Sequence, residues 1–266
     1  MLVLLPPSET KRVGGDGRLD PLALRHAAVL GAARSRVREA LVQLSSGDED
    51  AAAKALKLGV KNRGELAHNL ELEESGVLPA IERYTGVLYD ALDVETLDTP
   101  ARDWLNANVA VQSALFGLVG AGDPIPAYRL SGGSRLASLE QPLKRVWQAA
   151  HADLDWDDAG LVLDLRSKDY QALAPIPRGK SYLLNVVQRG ADGEVRALNH
   201  FNKAAKGDLV RRLALTKPNL TTPKSLTEWA HSQGLDLFAG PGEGELTLVT
   251  ELGAPGAPPA ASGSAR

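Results

Sequence analysis

The sequence predicts an α+β protein, a mixed sheet flanked by helices in one large domain. Three observations carry this. Short apolar runs at residues 2–5 and 161–165 stop at polar loops, as buried strands do. Longer segments at 22–44 and 139–150 repeat apolar residues at helical spacing. Strands and helices alternate without the regular rhythm of a doubly wound sheet.

Taken in order, Leu2 to Leu5 is a strand stopped by Pro6-Pro7, and a polar loop through Arg12 hangs directly from its end. Residues 12–20 carry three glycines and read as loop. Leu22, His26, Leu30, Val37 and Leu41 share one face of a helix over 22–44, broken by Ser45-Ser46-Gly47-Asp48. Asp50 or a neighbour caps a second helix over 51–58, Gly59 turns the chain, and a third helical segment covers 62–72. Residues 79–89 join a helical piece to a glycine turn, and 108–111 read as a second strand. The Gly- and Pro-rich stretch 121–133 is expected to be an irregular surface loop. Leu143, Val146 and Trp147 form the apolar face of a helix over 139–150. Residues 161–165 are the clearest strand after the first. Residues 181–188 and 195–198 bracket a hairpin turn. Helices over 202–215 and 225–233 and a strand over 245–252 follow. The domain is placed at 1–252, and the Gly-, Ala-, Pro- and Ser-rich tail 253–266 is expected to be disordered.

Composition narrows the chemistry. The chain has no cysteine, which excludes disulfides, a thiolate nucleophile and zinc–thiolate or iron–sulfur centres. Its five histidines lie at none of the close spacings of zinc helices, so no metal and no cofactor is expected. No apolar run reaches the roughly 18 residues of a membrane span, and the N-terminus lacks a basic leader, so a cytoplasmic protein with no membrane partner is expected. A net charge of −3 shows no global basic excess, so any nucleic-acid surface must be local.

Four segments present polar residues at strand ends or small-residue turns. They supply Ser8 and Lys11; Ser113, Tyr128 and Arg129; Ser167 and Tyr170; and Lys203, Lys206 and Arg211. Lys203 and Lys206 are three apart on one helix face, with Ala204, Ala205 and Gly207 leaving room for a ligand near the backbone. Each segment alone has an ordinary structural reading: a turn, a connecting loop, a capped helix start, a solvated basic face. Together they describe a pocket for an anionic small molecule, phosphorylated or carboxylated, with Arg129 and the lysines as clamp. No Walker loop, dinucleotide fingerprint or serine-hydrolase elbow is present, and no catalytic residue is assigned.

Several of these stretches, in order, resemble the YaaA family of bacterial peroxide-stress proteins. They are Leu4-Leu5-Pro6-Pro7-Ser8-Glu9-Thr10-Lys11, Tyr84-Thr85-Gly86-Val87-Leu88-Tyr89, Gln112-Ser113 through Phe116-Gly117 with Asp123 and Pro126-Ala127-Tyr128-Arg129-Leu130, Trp147, Ser167-Lys168-Asp169-Tyr170, and Lys203-Ala204-Ala205-Lys206-Gly207 with Arg211. The chain departs from the family pattern in carrying Arg166 where a small residue is usual. The resemblance implies a cytosolic protein of the hydrogen peroxide response. It also implies binding of double-stranded DNA through a helix-hairpin-helix-like element, here at about 51–72, with Lys57, Lys61 and Arg63 as its cations and Lys54 beside them. A duplex binder and an enzyme acting on an anionic small molecule are thus the two readings. They are separated by whether the cations spread along an open ridge or gather in a concavity.

Overall fold

The computed structural model describes residues 1–189, 195–197 and 202–250. The chain opens with β1 (Leu2–Leu5), then α1 (Ala27–Ser45), α2 (Glu49–Ala55), a 3-10 turn at Val60–Glu65 and α3 (Leu66–Leu70). Next come β2 (Leu78–Pro79), α4 (Ala80–Arg83), α5 (Val87–Leu92), α6 (Thr99–Asn108), β3 (Val109–Ser113), β4 (Gly117–Gly120) and β5 (Pro124–Ile125). The second half carries α7 (Leu143–His151), β6 (Val162–Asp164), α8 (Lys168–Leu173), β7 (Tyr182–Arg189), β8 (Val195–Ala197), α9 (Asn202–Thr216), α10 (Pro223–Ser232), β9 (Asp236–Ala239) and β10 (Glu245–Val249).

The main sheet runs β4-β3-β1-β6-β7-β10-β9, with β8 paired to β7. Its five middle strands, from β3 to β10, are parallel, and β4, β9 and β8 pair antiparallel. The fold is α+β with a mixed sheet flanked by helices. A strand inside a parallel region is buried on both faces, which is why β1 reads as an unbroken apolar run. Val3 and Leu5 pack into the larger core with Val111 and Leu163, while Leu2 and Leu4 face the other way onto Trp156, Leu154 and Leu30.

Several elements differ from the sequence expectation. The first helix starts at Ala27, because His26 before it is left-handed at φ 58°. Asp48 rather than Asp50 caps α2, accepting from the Ala51 N–H at 2.9 Å. The expected third helix is a 3-10 turn followed by the short α3. Residues 125–130 are buried, not a surface loop. Irregular backbone can be buried there because its polar groups are met: β5 pairs with β2, and the Asn69 side chain accepts from the Arg129 N–H at 2.7 Å and donates to its carbonyl at 3.0 Å. The expected hairpin strands pair as β7 and β8, while the turn between them and the tail 253–266 lie outside the described residues.

Beneath β3, His151 is enclosed by Trp147, Gln112 and Arg166. Its Nδ1–H donates to the Trp147 carbonyl at 2.8 Å, leaving Nε2 to accept from the Gln112 amide at 3.3 Å. Burial, with the nearby Arg166 charge, lowers its pKa from 6.5 to about 4. Between those values the unfolded chain binds a proton that the folded chain does not, so stability falls as pH drops through that window. We expect this residue to contribute about 2–3 kcal/mol of loss between pH 7 and 4. Urea midpoints at both pH values should show a smaller drop in His151→Leu than in the parent; an equal drop would assign the loss elsewhere.

Candidate functional site

The chain leaves β1 toward β3 on one side, whereas β6 continues toward β7 on the other. The C-terminal ends of the adjacent β1 and β6 therefore open a crevice at a topological switch point, where open sheets hold their ligands. A cleft of about 720 Å³ lies there. The loop after β1 forms one wall (Pro6 to Thr10), the start of α5 another, and the turn from Arg129 to Gly133 a third. Leu165, Ser167, Asp169 and Tyr170 enter from the end of β6, and Asn202, Lys203 and Lys206 from the first turns of α9.

The β1 loop is held by hydrogen bonds to the residues before α5. Ser8 Oγ accepts from the Thr85 N–H at 3.1 Å, Thr85 Oγ1 donates to Thr10 Oγ1 at 2.9 Å, and Tyr89 donates to the Pro6 carbonyl at 2.8 Å. Gly86 makes the turn between these partners with φ 94°, a conformation that other residues rarely adopt. Arg83, fully buried, donates to the carbonyls of Ile125, Gly14 and Gly76 and so fixes the glycine-rich stretch beyond the loop.

Six of the ten pocket residues expected from sequence line the cleft: Ser8, Arg129, Ser167, Tyr170, Lys203 and Lys206. Lys11, Ser113 and Tyr128 stand behind its wall. Ser113 Oγ accepts from the N–H groups of Leu115 and Phe116, which leaves its hydroxyl proton for Tyr128 Oη at 2.8 Å. Tyr128 Oη lies 2.8 Å from Tyr84 Oη in turn. Lys11 Nζ sits 4.1 Å from the Tyr128 ring centroid and donates to the carbonyls of Ser8 and Glu9. Burial, then the Arg129 charge, brings the Lys11 pKa down to about 7. Arg211 is elsewhere: it donates to the carbonyls of Leu92 and Asp93 and so closes the end of α5. Arg166, in the same segment as Ser167, is also outside the cleft, pairing with Asp164 beneath it.

Arg129 reaches the cleft from a buried backbone, with its guanidinium between Glu9 at 3.3 Å and Glu65 at 3.2 Å. Tyr170 Oη accepts from the Gly132 N–H at 3.2 Å, and burial raises its pKa to about 12, so it stays a neutral phenol. Lys206 Nζ donates to the Leu165 carbonyl at 2.9 Å. Of the cations expected on the hairpin element, Lys57 lines the cleft beside Gly133, Lys61 is exposed, and Arg63 is paired with Asp50 at 2.6 Å and Glu49 at 3.5 Å. Sequence reasoning missed Asn69, whose hold on Arg129 spans 60 positions and leaves no local trace.

Four cations, Lys57, Arg129, Lys203 and Lys206, thus face two carboxylates, Glu9 and Asp169, around one concavity. Among the described residues no group of three His, Asp or Glu side chains is placed to hold a metal ion, and no helix is long and apolar enough to cross a membrane.

Comparison with known proteins fits this frame. The family described as peroxide stress protein YaaA matches residues 1–237. A UPF0246 protein of Corynebacterium glutamicum is 40% identical over 253 residues, covering 94% of this chain and all of the relative. A UPF0246 protein of Streptomyces coelicolor is 42% identical over 244 residues, covering 90% of this chain and 92% of the relative. A more distant UPF0246 protein of Lactobacillus delbrueckii is 33% identical over 159 residues, 58% of this chain and 64% of its own. The matched region takes in every residue of the cleft, and the chain belongs to the YaaA family of peroxide stress proteins.

Proposed function

We propose that this YaaA-family protein serves the peroxide response in the cytosol by binding, and acting on, a phosphate-bearing small molecule in the cleft between β1 and β6. The observation that carries the reading is the convergence of Lys57, Arg129, Lys203 and Lys206 on one concavity of about 720 Å³. That volume lies in the range of small-molecule sites, and a duplex is far too wide to enter it. The cations outnumber the carboxylates, even with Arg129 standing between Glu9 and Glu65, and lysine and arginine side chains are the groups suited to phosphate.

Double-stranded DNA is the second reading, and one observation favours it. Lys57 and Lys61 are both exposed in the connection between α2 and α3, so this segment presents cations, with Lys57 at the cleft itself. Arg63 adds little there, because Glu49 and Asp50 already neutralise it.

One set of titrations separates the two. Pyrophosphate is expected to bind the parent, and Lys203→Ala, at an exposed position, to weaken it about tenfold without loss of fold. Under the second reading a fluorescent duplex binds instead, with an affinity that collapses between about 50 and 200 mM salt. Duplex binding without pyrophosphate binding would overturn the first reading.

A further inference from the structure

Lys206 differs from the other cations of the cleft. Lys57 and Lys203 are exposed, and Arg129 carries a guanidinium rather than an amine. Lys206 lines the cleft yet is only 8% exposed. Among the described residues its hydrogen bond goes to the neutral Leu165 carbonyl. The carboxylate whose charge acts on it is already engaged: Asp164 Oδ1 accepts from Arg166 Nε and N–H, and Oδ2 from Arg166 Nη2 at 2.7 Å. Among the described residues the ammonium is therefore desolvated with no carboxylate of its own. Burial lowers its pKa to about 8, against the pull of the Asp164 charge.

Lys11 is half-buried, but its amine lies under the Tyr128 ring, donates to two carbonyls and does not line the cleft. Of these two buried-amine lysines, Lys206 is the one that lines the ligand space. A buried lysine amine flanked by cations that fix a ligand's anionic group is an activated nucleophile toward carbonyl carbon.

We propose that Lys206 captures the carbonyl carbon of a phosphorylated aldehyde held in the cleft, forming an imine. The inference rests on the reading of the cleft as a phosphate site. Neutral Nζ attacks the carbonyl carbon, making the C–N bond as the C=O π pair takes up a proton. The resulting carbinolamine loses its hydroxyl as water while nitrogen gives up a proton. Amine and aldehyde thus become imine and water, and no oxidant or reductant is consumed. Such aldehydes belong with peroxide stress on chemical grounds, since peroxide-derived radicals cut sugars into carbonyl fragments that keep their phosphate. The fragment can be free or still part of a nucleic-acid strand.

The test uses the full chain with sodium borohydride, which fixes an imine as a stable secondary amine. One arm supplies glyceraldehyde 3-phosphate and the other a single-stranded oligonucleotide with one abasic site; peptide mapping locates the adduct. The expected result is one adduct, on Lys206, in at least one arm, suppressed by excess pyrophosphate. Its yield should rise roughly eightfold from pH 7 to 8.5 as the amine loses its proton. The arm that labels identifies the source of the aldehyde. Lys206→Arg keeps the charge but has no primary amine and is expected to lose the adduct, though the mapping on the parent stands without this variant. Pyrophosphate binding with no adduct in either arm, or with the adduct on Lys11, Lys57 or Lys203, overturns the imine assignment alone. Absence of pyrophosphate binding overturns the phosphate reading itself.

Discussion

Replacing Gly207 by alanine is expected to lower the stability of the fold by about 3 kcal/mol, although the residue sits inside a helix where alanine is normally favoured. In a free helix the exchange would stabilise by about 1 kcal/mol. Here α9 lies against α5 so closely that a Cβ on Gly207 would stand 2.1 Å from the Leu88 carbonyl oxygen, 2.9 Å from Ala91 Cβ and 3.0 Å from the Leu92 nitrogen. Two of those three neighbours are backbone, so no side-chain rotation relieves the overlap, and one helix must move off the other. The packing term exceeds the propensity term, and the sign reverses. Function should fall with it, because α9 brings Lys203 and Lys206 to the cleft and α5 brings Leu88 and Tyr89. Urea denaturation would show the shift in midpoint, and pyrophosphate titration the weakened site. A stabilised Gly207→Ala protein with unchanged binding would mean that α5 is free to slide.

That contact also shows what sequence can reveal about such a site. The small residues between Lys203 and Lys206 point to a close approach at α9, but what approaches Gly207 is a neighbouring helix. β1 is legible because a strand buried on both faces is apolar throughout, and β6 because its apolar residues are interrupted by Asp164 alone. Their ends are legible too, since the apolar residues stop at Pro6-Pro7 before a polar loop in one case and at Arg166 in the other. The helix α6 had a readable start: Asp98 accepts from the Ala101 N–H, and Pro100 follows in the first turn. The edge strands β4 and β9 are short and carry only two or three apolar residues each, too few to show a period. Side chains that serve distant backbone are illegible. Arg211 looks like a ligand cation and closes α5; Asn69 looks incidental and holds Arg129. Both roles depend on partners 60 or more positions away, which no local pattern encodes.

Arg166 is the second residue whose replacement should have a large effect, and its partner decides how large. Arg166→Met removes the two side-chain hydrogen bonds that hold the Asp164 carboxylate and leaves that carboxylate buried. It also strands the Ala174 carbonyl and the Gln112 side-chain oxygen, at 3.0 and 3.3 Å from Nη1. Breaking one side of a buried pair typically costs about 3–5 kcal/mol, and that is the expected loss. Removing both charges together is a different experiment. In Asp164→Leu/Arg166→Met no ion remains to be solvated, so the double variant should recover most of the loss despite having fewer polar contacts. The two variants also differ at the cleft. With Arg166 gone and Asp164 present, the freed carboxylate, whose charge already acts on Lys206, would hold that ammonium in its charged form. Reductive trapping at pH 8 should then fall in Arg166→Met and be regained in the double variant once each is shown to be folded. If trapping fell equally in both, the pair would be acting on the shape of the β6 end. A fall confined to the single variant would show that Arg166, which never touches the cleft, keeps Lys206 reactive by occupying the Asp164 carboxylate.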